Sequence, residues 1–441
     1  MGKKALLINP WIYDFKAFDF WSKPLGLLYL GALLQKHNWE IYLIDCLDRY
    51  HPKLLNSGKK LPKVDEFGRG KYIAEVVPKP EIYKHYPRRY KRYGLPEEIF
   101  RKILLELPKP DWIFVTSQMT YWYLGVFSTI NIIKETFPKI PIVLGGIYTT
   151  LCYEHALRHS GANYVLPGPV EESLFRLFPE IPKYTFPELP FPAFNLYHKL
   201  DYVTILTSRG CIFRCNYCAV HYLVPNFVCR TVQAVINELE IYAQSQIKNI
   251  VFYDDALLAN PNFSSILDEI KNRRFSFQFH TPNGLHPRFI TEEIAQKMKE
   301  VNFKTIYLSL ETIDSRLHDL YDQKVTKNEF TRAVNNLKKA GFDNKQIHAY
   351  LLIGLPLFDF DTIKESIDFV LSLGVTPHLA EYSPIPHTQI YRNNFSKNLS
   401  EPLLHNNIIF PLLNSEEKNK MAELKKYLIK IRQTSLLSKT K

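Results

Sequence analysis

Six cysteines occur in 441 residues, and three of them, Cys211, Cys215 and Cys218, fall within the eight positions "CIFRCNYC". Thiolates gathered this closely hold soft metals, and two kinds of centre are open to them. Three can ligate three irons of a cubane cluster and leave the fourth iron accessible to a small molecule. Alternatively, His221 completes a Cys-x3-Cys-x2-Cys-x2-His set able to close a structural zinc tetrahedron. Position separates the two. The cysteines follow an apolar run, residues 202–208, that reads as the first strand of a parallel barrel, and a closed zinc site at the barrel mouth would block the entry of substrate. The open cluster, with Cys211, Cys215 and Cys218 as ligands, is the expected centre.

Strands and helices must present that loop. From residue 199 to 395, apolar runs at 202–208, 248–254, 275–281, 304–310, 347–353 and 377–382 alternate with helical stretches, predicting a partial (βα)6 barrel. The first half repeats the alternation. Short apolar runs at 4–10, 40–48, 111–118, 140–146 and 163–168 end in turn residues. Helical patterns at 24–37, 97–107, 123–136 and 152–160, and another after 169, lie between or beyond them. The expected class is α/β: a doubly wound Rossmann-like domain over 1–178, with its ligand outside the carboxyl ends of the strands, followed by the barrel. Residues 179–193, "PEIPKYTFPELPFPA", hold five prolines and place a Pro-rich linker over 179–198. A helical extension, 396–441, closes the chain. Its stretch from Ser415 to about Gln433 carries glutamates early and lysines late, as a helix dipole favours.

Composition narrows the setting. A hydrophobic fraction of 46% fits a globular protein, and no apolar run approaches the roughly 20 residues of a membrane span. The start, "MGKKALLINPW", reads as a first strand rather than a signal peptide. Few, clustered cysteines fit a reducing compartment, and the cytoplasm is the expected location. Of the net charge of +12, the stretch from Arg49 to Tyr93 carries thirteen Lys or Arg against four Asp or Glu. This basic insertion, 49–93, interleaves arginine with tyrosine in "PRRYKRYG" (87–94). The pattern reads as a solvated basic flap leaving the strand-end edge, or as a contact for an anionic substrate or partner.

The cysteine loop resembles the CxxxCxΦC motif of the radical S-adenosylmethionine superfamily, with Tyr217 as the aromatic Φ. The resemblance implies a 4Fe-4S cluster whose open iron chelates S-adenosylmethionine and, once reduced, releases a 5′-deoxyadenosyl radical. It extends along the barrel. "YDDALL" (253–258) offers Asp254 and Asp255 for the methionyl amine in place of the usual Gly-Gly-Glu. "SLET" (309–312) places Ser309 and Glu311 where related enzymes hold the ribose. "YLLIGLP" (350–356) resembles the segment that packs on adenine. "EYSPIPHT" (381–388) resembles the sixth-strand ending, with Glu381 and Ser383 as further contacts and His387 where Gly is more usual.

The first half resembles the cobalamin-binding domain of one class of that superfamily, through "KPLGLLYLGALLQKHNWEIYLID", "VTSQMTYW", "VLGGIYTTL" and "GPVEESL". Gly145, Gly146 and Gly168 would let backbone approach a flat macrocycle, and Thr116 and Ser117 would hydrogen-bond its tail. The Asp-x-His-x-x-Gly cobalt-ligand motif is absent. Cobalamin would therefore bind without a protein nitrogen below the metal, or the domain would be vestigial. The implied activity is cobalamin-dependent methylation of an unactivated carbon. Alternatives are a cobalamin-independent radical enzyme and a non-catalytic cobalamin or cluster sensor whose insertion binds nucleic acid. Only Cys46 and Cys152 lie in the first domain, too few for a second, methylthio-donating cluster. Cys229 reads as a small buried residue near a helix start. Implied partners are an electron donor such as flavodoxin or ferredoxin and a substrate that is large or anionic. Nucleic acid is not the expected partner.

Overall fold

The computed structural model describes residues 2–317, 325–355, 359–394 and 399–437. Five short runs form the first sheet: β1 (Lys4–Asn9), β2 (Glu40–Asp45), β3 (Trp112–Val115), β4 (Ile142–Leu144) and β5 (Tyr164–Val165). All pair in parallel, in the order β2-β1-β3-β4-β5. Ala5, Leu6, Leu7 and Ile8 of β1 are all buried because helices cover both faces. The strand order reverses between β1 and β3, and the crevice for a ligand opens at such a reversal. Helix Leu25–Lys36, which follows β1, buries eight consecutive residues, Leu27 to Leu34. It is a core element rather than a surface helix.

The second sheet has six strands in chain order: β6 (Tyr202–Ile205), β7 (Asn249–Phe252), β8 (Gln278–Leu285), β9 (Phe303–Glu311), β10 (Ile347–Ile353) and β11 (Thr376–Glu381). Every neighbouring pair is parallel, and β6 and β11 stand at opposite edges, so the barrel is open. Phe252, Phe279 and Phe303 stack across three neighbouring strands with centroids 5.5–5.7 Å apart and anchor its core. Residues 179–198 form only two single turns, Phe186–Glu188 and Phe194–Leu196, as five prolines require. They nevertheless bury Ile181, Phe186, Leu189 and Phe194. The terminal helix runs Ser415–Leu437.

The basic insertion exposes most of its lysines and arginines and is anchored through its aromatic residues. Its strands Ala74–Val76 and Lys91–Tyr93 join Ile12–Asp14 in an antiparallel sheet. Tyr83 and Tyr90 are buried, and the Tyr83 and Tyr86 hydroxyls donate to the carbonyls of Leu403 and Ile408. Arg92, also buried, pairs with Glu75 and Glu97. Arg69 lies over Phe20, Trp21 and Phe67 beside the barrel residue Tyr307. The tyrosine faces are spent inside the protein and are not a platform for bases.

Candidate active site at the strand ends

The cysteine loop is pinned at its neck. Ser208–Arg209 pairs antiparallel with Val228–Cys229, and Arg230 N donates to Thr207 O at 2.8 Å. Gly210 closes the neck at φ +86°, where a Cβ would stand 2.5 Å from Asn226 O, so no other residue fits. Two adjacent carboxylates hold this neck from β7. Buried Asp254 Oδ1 accepts from Thr207 N (3.0 Å), Thr207 Oγ1 (2.7 Å), Ser208 N (2.5 Å) and Ser208 Oγ (2.7 Å). Asp255 Oδ2 accepts from Gly210 N at 3.0 Å. Asp255 remains open to a cavity, and enclosure by the cavity walls raises its carboxyl to about 6. The two candidates are placed differently: the Asp254 oxygens organise the loop stem, and Asp255 faces the cavity.

Within the loop Cys215 is buried, Cys211 and Cys218 are half-buried, and Cys218 N donates to Cys215 O at 3.0 Å. No disulfide involves any of the six cysteines. Among the described residues no three His, Cys, Asp or Glu side chains are grouped around one point. In donor chemistry, three thiols on one loop fit three irons of a cubane. His221 Nε2 is buried without a hydrogen-bond partner. Tyr217 packs against Leu352, Leu355, Tyr382 and Ile390, and Ile390 N donates to Asn216 O at 3.1 Å. The loop therefore arches from β6 to the ends of β10 and β11. Cys229, expected near a helix start, lies in the two-residue strand opposite Ser208.

The barrel rim sorts the remaining candidates. Ser309 is buried opposite Gly284, where a Cβ would come within 2.1 Å of Ser309 Oγ. Glu311 ends β9 after a register shift, at φ +63°, a left-handed conformation that is costly for glutamate and aims the chain end. Glu381 and Ser383 are engaged within the chain. Glu381 forms an ion pair of 2.7 Å with Lys425 of the terminal helix, and Ser383 Oγ donates to His405 O. Both anchor the carboxy-terminal segment. His387 adopts φ +70°, which explains why Gly is the more ordinary residue there. Its ring stacks on Tyr222, 3.8 Å between centroids, and its Nε2 lies 3.1 Å from Leu151 O. One side chain thus joins the cysteine segment to the first sheet's helices.

A cavity of about 350 Å³ opens between the carboxyl ends of the two sheets. Thr116, Gly145, Gly146 and Gly168 line it from the first sheet, and Asp255 lines it from the barrel. Gly145 and Gly168 leave space for a ligand: a Cβ at Gly145 meets only Leu166 O at 3.7 Å, and one at Gly168 meets nothing within 4 Å. Ser117 lies behind the cavity wall. It is buried, and its hydroxyl donates to Gly145 O at 2.7 Å, shaping the turn instead of facing the cavity. Two lining residues carried no sequence signal. Tyr29 brings a buried hydroxyl without a hydrogen-bond partner, and Arg209 pairs with Glu171 and lies over Phe186. Among the described residues, none of the basic insertion and no histidine lines this cavity.

The three cysteines on the loop after the barrel's first strand lie in a stretch, residues 205–370, that matches the model of the Radical SAM superfamily. Its relatives extend the likeness beyond the barrel. An uncharacterized methyltransferase of Pyrococcus horikoshii is 23% identical over 350 residues, covering 69% of this chain and 74% of its own. Cytidylyl-2-hydroxyethylphosphonate methyltransferase of Streptomyces wedmorensis is 19% identical, over 91% of this chain and 83% of its own. The fold is similar to that of the radical S-adenosylmethionine methyltransferase TsrM from Kitasatospora setae, solved with cobalamin and a 4Fe-4S cluster bound. The TM-score is 0.66 at 16% identity, over 90% of this chain and 79% of that one.

Proposed function

We propose that the protein is a radical S-adenosylmethionine enzyme that methylates an unactivated carbon with the help of cobalamin. The observation that carries this reading is the single cavity onto which Gly145, Gly168 and Thr116 open from one side and Asp255, beside the cysteine neck, from the other. When bound, the reduced cluster supplies the electron that cleaves the sulfonium, and the corrinoid carries the methyl group. Cys211, Cys215 and Cys218 hold the cluster. Above pH 6 Asp255 is ionised, so it accepts the methionyl ammonium, while Ser309 and Glu311 receive the ribose. Tyr217 braces the loop against β10 and β11, and Asp254 keeps its neck in register. Gly145 and Gly168 admit the corrinoid face. Relatives named methyltransferases support the reaction class.

In this reading residues 1–178 form the cobalamin unit, 179–198 the linker, 199–395 the radical unit and 396–441 a bracing extension. An external donor of the flavodoxin or ferredoxin kind supplies electrons. Among the described residues no helix is long and apolar enough to cross a membrane, and oxygen-sensitive thiolate ligation fits the cytoplasm. The test is anaerobic turnover of reduced protein with S-adenosylmethionine. The expected product is 5′-deoxyadenosine, lost in Asp255→Asn and in the triple cysteine-to-alanine variant. No product above a dithionite-only control refutes turnover and points to a sensor.

A further inference from the structure

A second cavity, of about 280 Å³, lies at the same strand-end level and belongs to no part of the site above. Three elements converge on it through Asp14, which follows β1 in the strand Ile12–Asp14. Asp14 accepts from Trp122 Nε1 at 2.8 Å, from Asn406 Nδ2 at 2.9 Å and from Phe15 N at 2.6 Å. The loop after β1, the loop after β3 and the carboxy-terminal segment therefore share one anchor. Glu381, at the end of β11, brings the barrel to the same wall.

Charge decides what such a cavity accepts. Five charged side chains line it: Lys16, Arg88, Lys425, Asp14 and Glu381. Glu381 and Lys425 neutralise one another at 2.7 Å. Asp14 is held by three neutral donors and keeps its charge, so Lys16, Arg88 and Asp14 together leave one net positive charge. Lys16 and Arg88 form no ion pair among the described residues, and both are exposed. The available charge is positive, and Tyr121 and Trp122 add aromatic walls. Pro87, Arg88 and Arg89 of "PRRYKRYG" are exposed, unlike Tyr90, Arg92 and Tyr93, and of the two arginines Arg88 lines the cavity. Ligand pockets for drug-sized molecules span about 300–1,000 Å³, so the occupant is compact.

We propose that this cavity binds a compact organic anion, a carboxylate or phosphate carried on a small flat apolar body, through Lys16 and Arg88. The proposal is separate from the enzymatic reading above and is tested without either cofactor, so the two can fail separately. Phenyl phosphate, phenylacetate and benzyl alcohol are titrated into the full chain at low ionic strength while tryptophan fluorescence is followed. Trp122→Phe identifies the share of the signal that arises in the cavity. At least one anion should bind at least fivefold more tightly than the alcohol, and the Lys16→Gln/Arg88→Gln double variant, with an unchanged Tm, should lose that preference. Tighter phosphate binding identifies a phosphate ester, and tighter phenylacetate binding a carboxylic acid. No preference for either anion, no binding at all, or a preference that survives in the double variant overturns the proposal.

Discussion

Side chains placed at Gly145 and at Gly146 should have opposite consequences, although the two glycines are neighbours in one turn. Gly146 sits at φ +102°, and a Cβ there lies 2.2 Å from Ser117 O and 2.7 Å from Ser117 N. Left-handed backbone costs a residue with a side chain about 1–2 kcal/mol, and a methyl forced into packed surroundings costs about 1–3 kcal/mol more. Gly146→Ala should therefore lose about 2–5 kcal/mol, a fall in Tm of roughly 5–15 °C for a unit of this size. Gly145 has an ordinary 3.7 Å neighbour and faces the cavity of about 350 Å³. Gly145→Trp should keep its Tm within a few degrees, since replacing glycine also restricts the unfolded chain. It should keep its iron but take up corrinoid roughly tenfold less well or worse, a loss of at least about 1.4 kcal/mol. The assays are thermal melting and visible absorbance after anaerobic loading with cobalamin. Wild-type corrinoid uptake by Gly145→Trp, or a wild-type Tm for Gly146→Ala, would refute the reasoning.

Asp254→Asn should reduce iron per chain and cost about 1–3 kcal/mol, because an amide cannot accept all the donors gathered on Oδ1; Asp255→Asn should spare both and weaken S-adenosylmethionine binding, measured by equilibrium dialysis. His280 is buried with its ring nitrogens 3.0 Å from Thr305 Oγ1 and Asn249 Oδ1, and burial lowers its pKa from 6.5 to about 3. The unfolded chain thus binds that proton first, and stability is lost as pH falls from about 6.5 towards 3, by on the order of 5 kcal/mol in all. His280→Gln should flatten the fall of Tm with acid. His387→Gly should relieve the left-handed strain but release Tyr222 and Leu151, so its cluster should bleach faster in air than that of the parent protein.

The parallel strands were readable because both faces of each are buried, which leaves short unbroken apolar runs such as "ALLI" in β1. The cysteine triad was readable because its ligands are neighbours in sequence. Asp254 and Asp255 could not be told apart in the same way. Both are acidic residues at one strand end, and only the loop neck folding back onto Asp254 decides which one faces the cavity. The tyrosines of the insertion pose a similar difficulty, since composition shows a basic aromatic stretch but not which side packs inward. Arg209 and Tyr29 belong to no motif. They reach the cavity because a helix and a loop neck meet there. Glu381 and Ser383 look like cofactor contacts until the carboxy-terminal segment, distant in sequence, takes both.

The claim that both cofactors open onto one chamber in this chain is tested most directly by metal, sulfide and corrinoid analysis of the anaerobically purified and reconstituted protein. The account predicts four irons, four sulfides and one corrinoid per chain, with the iron and sulfide lost when Cys211, Cys215 and Cys218 are all replaced by Ala. Stoichiometric zinc in place of the cluster, or a full cluster with no corrinoid taken up at saturating cobalamin, would contradict it.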